Sequence, residues 1–132
     1  MKKLDLKKIH NVIFKSAIEA SKVVAQEIAA LIKSKQAENK SCILGLATGS
    51  SPIKVYEELV RMHKEERLSF HNVVTFNLDE YYPMTKENRQ SYHYFMHQYL
   101  FNHNPLGAII KNVSSSVLCA VKRNKKCIEN RF

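Results

Sequence analysis

The sequence predicts an α/β fold in three layers, a mostly parallel, Rossmann-like sheet with helices on both faces. Three observations carry that expectation. Two apolar runs short enough for strands, Cys42–Leu46 and Val73–Phe76, alternate with longer segments of helical period. The unit from Cys42 to Asp79 reads as strand, tight turn, helix and strand, the pattern of a crossover between parallel strands. Tandem hairpin signals do not appear, which argues for a sheet covered on both faces.

Taken in order, residues 1–10 are too charged for a defined element, and Asn11-Val12-Ile13-Phe14 reads either as a short edge strand or as the lead into a helix. Ser16-Ala17-Ile18-Glu19 fits a capping box, hydroxyl and carboxylate each closing an orphan amide of the first turn. A helix is predicted from Ala17 to about Lys35, with Ile18, Val23, Val24, Ala25, Ile28, Leu31 and Ile32 on its apolar side. After a polar connection and the first strand, a second helix is expected with Ser51 as its cap and Pro52 at its first position. Its apolar side is Ile53, Tyr56, Leu59, Val60 and Met62 or His63, and Lys64-Glu65-Glu66-Arg67 closes it at the surface. The second strand follows, then a polar loop over 81–90. Ser91 is predicted to cap a third helix from Tyr92 to about His103, with Tyr92, Phe95, Met96, Tyr99 and Leu100 inward. Beyond Pro105 no clean period survives.

A chain of 132 residues is one domain, long enough to bury a core. No apolar run approaches the ~20 residues of a membrane span, and the charged N-terminus does not read as a signal peptide. Three widely spaced cysteines make no disulfide framework; Cys42 is most simply a buried thiol, and the cytoplasm is the expected compartment. Of the net charge of +9, residues 104–132 contribute +5, from six Lys/Arg against Glu129. Lys2, Lys3, Lys7 and Lys8 supply much of the remainder. The excess thus sits at the two ends rather than along one face, which argues against nucleic acid as a partner.

Thr48-Gly49-Ser50-Ser51, entering a helix, has the composition of an anion cradle. Free backbone N–H groups and the positive helix end face the ligand, Gly49 allows close approach, and three hydroxyls add donors. A loop whose Ser51 only caps the helix is the alternative. The turn is not a P-loop, since the G-x-x-x-x-G-K-[ST] pattern is absent. Asp79 and Glu80 lie just past the second strand, where open α/β sheets face their ligands. A base at Asp79 needs tuning by desolvation, for which Leu78, Tyr81 and Tyr82 are the candidate cover; a turn-capping role is the alternative. Together the two loops suggest half of a sugar-phosphate site. His93 and His97 have a spacing that could hold a metal, but no third ligand lies near in sequence, so no metal site is expected.

Leu44-Gly45-Leu46-Ala47-Thr48-Gly49-Ser50-Ser51-Pro52, Val73-Val74-Thr75-Phe76-Asn77-Leu78-Asp79-Glu80-Tyr81 and Ser91-Tyr92-His93-Tyr94-Phe95-Met96 occur in the order and at the spacing of three motif blocks. On these blocks the chain resembles glucosamine-6-phosphate deaminase over roughly residues 12–103. The resemblance implies the N-terminal half of a larger fold and conversion of glucosamine 6-phosphate to fructose 6-phosphate and ammonia, a step of amino-sugar catabolism. It implies neither metal nor organic cofactor, no membrane partner, and leaves homo-oligomers open to full-length members. Thr48, Gly49, Ser50 and Ser51 would hold the phosphate. Asp79 would move a proton between C2 and C1, with Glu80 and Tyr81 in support. The related 6-phosphogluconolactonase is the alternative, although its second block usually carries Asp-Glu-Arg where Tyr81 stands here. A non-catalytic sugar-phosphate-binding regulator is a third. The resemblance stops near Asn104: the family's later half, with its ring-opening histidine, has no match. Residues 104–132 are therefore expected to be a divergent tail on a truncated chain that lacks catalytic groups.

Overall fold

A computed structural model of the chain describes residues 12–103. The expectations for the charged N-terminus and for the tail 104–132 lie outside the described residues. Val12-Ile13-Phe14 forms no strand and leads into a helix with Ile13 97% exposed, which decides between its two readings.

Helix α1 spans Ala17–Ala37. The Ser16 hydroxyl accepts the Glu19 N–H at 3.2 Å, as predicted, while the Glu19 carboxylate accepts from the Lys15 N–H at 3.2 Å, one residue earlier than in a standard box. The buried stripe differs from the predicted one. Ser21, Ala25, Ala29 and Ile32 face inward, and Ile18, Val24 and Leu31 are largely exposed. Small side chains at three of the four positions let α1 lie close to the next helix, and that packing outranks hydropathy in choosing the face.

Strand β1 (Cys42–Leu46), helix α2 (Ile53–Glu66) and strand β2 (Val73–Asn77) follow at the predicted places. β1 and β2 pair in parallel, Cys42 opposite Val73 and Leu46 opposite Asn77. Helix α2 begins one residue later than expected. Pro52 is at its cap, and no side chain makes a capping hydrogen bond, so Ser51 does not cap. The helix ends on left-handed Arg67 (φ 55°), where the Leu68 N–H reaches back to Met62 O at 3.2 Å and the Leu68 side chain is buried. Gln36 at the end of α1 donates to Ser69 O at 2.7 Å and to Asn72 Oδ1 at 2.9 Å, tying the approach to β2 onto α1.

Alternation along the strands sends Cys42, Leu46, Val73, Thr75 and Asn77 to a buried face. There Cys42, Leu46 and Val73 form one core with Ala25 and Ile32 of α1, Tyr56, Leu59 and Met62 of α2, and Met96, Leu100 and Phe101 further on. Among the described residues, helices therefore cover one face of the sheet. Ile43 on the other face is 67% exposed.

Helix α3 runs Tyr92–Tyr99, shorter than predicted, and passes into a 3-10 turn at Phe101–His103. The Ser91 hydroxyl accepts the Tyr94 N–H at 3.0 Å, the expected cap, and donates to Lys86 O at 3.1 Å. Ser91 is 1% exposed, and Ser91→Ala removes both of these hydrogen bonds. A loss of about 1–2 kcal/mol in urea unfolding is expected. No helix among the described residues is long and apolar enough to cross a membrane.

Candidate functional site

The last pair of the ladder, Leu46 and Asn77, sets the geometry of the candidate site. Beyond it, adjacent strands about 4.8 Å apart release their chains at the same edge of the sheet. One chain continues as Ala47-Thr48-Gly49-Ser50-Ser51-Pro52 into α2, the other as Leu78-Asp79-Glu80-Tyr81. The predicted turn and the predicted carboxylate thus share a rim.

Tyr56, one turn into α2, donates its hydroxyl to Ala47 O and so holds the start of the turn; burial pushes its phenol up to about 12. Gly49 adopts φ +103°, a conformation that L side chains rarely take, and the space where a Cβ would project is open. The glycine is required by its backbone rather than by crowding. Gly49→Ala is expected to cost about 1–3 kcal/mol in unfolding free energy, read by denaturation in urea. Gly49, Ser50 and Ser51 are exposed and Thr48 half-buried, so their polar groups face solvent at the rim.

Asp79 is exposed on this rim. The apolar cover expected for it does not form among the described residues: Leu78 is 65% exposed, Tyr81 55% and Tyr82 85%. These side chains follow the strand into a loop with no element above them, and sequence composition alone could not reveal that. Glu80 behaves differently from its neighbour. Its Oε1 accepts the N–H groups of Tyr81 and Tyr92, and its Oε2 that of His93, each at 3.0 Å.

Tyr92 was expected on the inner side of α3, yet it stands at the rim. Its ring lies 5.0 Å from that of Tyr81. Its phenol is held above the ordinary range first by the neighbouring Tyr81 hydroxyl, then by burial and by the negative charge of Asp79, against the opposing influence of the Thr48 hydroxyl. Groups of both loops therefore act on this one phenol. Its position as the first residue after a capping serine, directly following the loop from Asp79, was the signal that could have singled it out.

The histidines lie elsewhere. The His93 and His97 rings are 4.5 Å apart, and His93 is lowered chiefly by burial and then by His97. Among the described residues no three His, Cys, Asp or Glu side chains gather as metal ligands. A groove of about 830 Å³ beside α2 and α3 is lined by Glu57, Lys86, His93, His97 and His103 among others, and by no residue of 47–52 or 78–81.

Fold and rim together define an α/β protein whose strand-end edge, where open α/β sheets as a class bind ligands, carries a glycine turn and a carboxylate loop. The chain belongs to the family of glucosamine-6-phosphate isomerases and 6-phosphogluconolactonases, whose model matches residues 15–129. That match runs on into the segment 104–132. A glucosamine-6-phosphate deaminase of Mycoplasma mycoides is 48% identical over 87 residues, which cover 65% of this chain and 35% of the relative. Glucosamine-6-phosphate deaminase 2 of Giardia intestinalis is 49% identical over 88 residues, covering 67% and 32%. The chain thus spans about a third of the length of these curated relatives. The structure of a monomeric glucosamine-6-phosphate deaminase superposes with a TM-score of 0.70 at 30% identity, covering 88% of this chain and 48% of the other. A structure assigned as a 6-phosphogluconolactonase from Neisseria gonorrhoeae superposes with a TM-score of 0.61 at 21% identity, covering 76% and 40%, and speaks to the fold alone.

Proposed function

We propose that the chain carries the phosphate turn and the proton-transfer base of a glucosamine-6-phosphate deaminase, acting in amino-sugar catabolism in the cytoplasm. The substrate is an amino-sugar phosphate, converted to fructose 6-phosphate and ammonia. Thr48, Gly49, Ser50 and Ser51 grip the phosphate through backbone N–H groups and hydroxyls, and Asp79 takes the proton from C2 and returns it to C1. Deprotonation at C2 beside the C1 carbonyl gives an enolamine intermediate, so one carboxylate serves as acceptor and then as donor, and water hydrolyses the resulting C2 imine to release ammonia. Residues 104–132 belong to the same proposal as a divergent segment.

The observation that carries this reading is the parallel register, which brings the ends of β1 and β2 to one edge with Tyr92 between their loops. The deaminase names of the relatives and Tyr81, in place of the arginine usual in the lactonase motif, favour this branch of the family. The test is a titration of the chain with glucosamine 6-phosphate, followed by a coupled assay for ammonia and fructose 6-phosphate. Hydrolysis of 6-phosphogluconolactone instead would move the chain to the lactonase branch. Failure to bind either sugar phosphate would end the proposal.

A further inference from the structure

We propose that Glu80 is the positioning residue of this site: by capping α3 it clamps the first turn of that helix to the end of β2 and so fixes the placement of Asp79. The inference rests on Asp79 as the base. In an Asp-Glu pair at a strand end, both carboxylates are candidates for proton transfer. A carboxylate that moves protons needs an oxygen free to face the ligand. Neither oxygen of Glu80 is free, since Oε1 holds the amides of Tyr81 and Tyr92 and Oε2 that of His93.

The amides of Tyr92 and His93 are the first two of α3, donors with no partner inside the helix. Ser91 satisfies the third, Tyr94, at 3.0 Å. The cap of this helix is therefore divided between a local serine and a glutamate 12 and 13 residues upstream, and the negative charge lies where the helix dipole favours it.

The consequence falls on the residue before it. Asp79 is bounded by Asn77, held in the sheet opposite Leu46, and by Glu80, held on α3. With Asn77 and Glu80 held on either side, the backbone of Asp79 has little room to swing. The same clamp seats Tyr92, whose ring packs on Tyr81 at 5.0 Å.

The experiment uses the full chain with Glu80→Gln, at a temperature where far-ultraviolet circular dichroism shows it folded. The probes are inorganic phosphate and glucosamine 6-phosphate. The turn is held by β1 and α2, so phosphate affinity is expected to stay within about twofold of the unsubstituted chain. Glucosamine 6-phosphate, which must also meet Asp79 and Tyr92, is expected to bind about tenfold more weakly. The Tyr92 phenol, followed by NMR, should titrate closer to its ordinary range. If Glu80→Gln does not fold, Glu80→Asp keeps the charge but is too short to span both amides, and the same split between the two ligands is expected. Equal affinities for both ligands before and after substitution, with the Tyr92 titration unmoved, would overturn the positioning role and leave a plain helix cap. An equal loss for both ligands would overturn it too. If the unsubstituted chain binds neither ligand, it is the sugar-phosphate reading that fails, and the role of Glu80 with it.

Discussion

Under the proposed function, Asp79→Asn is expected to lower deamination of glucosamine 6-phosphate by about 10²–10⁴-fold, the usual contribution of a positioned general base. The amide has nearly the shape of the carboxylate but no oxygen that accepts a proton at neutral pH. Asp79 lies at the exposed end of β2 and outside the buried core, so the fold should not register the change. The loss should therefore fall on kcat, with KM close to that of the unsubstituted protein. The coupled assay for ammonia and fructose 6-phosphate reads both quantities, and an Asp79→Asn protein that keeps its full rate would exclude this residue as the base.

Leu59→Ala is expected to cost about 2–5 kcal/mol in unfolding free energy, the range for a fully buried leucine. Leu59 is 1% exposed, on the face of α2 that meets the sheet. It shares a small apolar space with Leu44, Leu46, Phe70, Val73, Thr75 and Leu100. Four of those neighbours belong to paired strands that cannot move inward without breaking the ladder, so the cavity left by truncation stays open. A domain of this size has roughly 5–15 kcal/mol of stability to lose, and the unfolding midpoint in urea should fall accordingly. Leu31→Ala is the control. At 44% exposure on α1 it should change stability by about 0.5 kcal/mol or less, although its hydropathy had placed it on the apolar side.

The contrast between Leu59 and Leu31 shows how far periodicity carries. In α2, Tyr56, Leu59 and Met62 follow a clear stripe, and all three are buried as expected. In α1, apolar residues run around much of the helix, so two faces were open and the packing of Ala25 and Ala29 decided between them. Ser51 is a similar case. Its place before a proline suits a cap, but the chain turns through Pro52 in helical conformation and the helix starts at Ile53. Ser16 and Ser91, followed by no proline, cap as predicted.

The sequence by itself determined where the strands and helices lie, because each depends on neighbours within a turn or a pleat. It also placed Thr48–Ser51 and Asp79 at strand ends, since such positions can be read one stretch at a time. Only the tertiary structure decided that Glu80 is spent on the amides of α3, that Tyr56 holds the turn, that Tyr92 stands between the two loops, and that Asp79 lacks its apolar cover. Each of these depends on groups from separate elements meeting in space. Local periodicity is blind to such a meeting, because it is fixed by how strands pair and helices pack, not by the letters on either side.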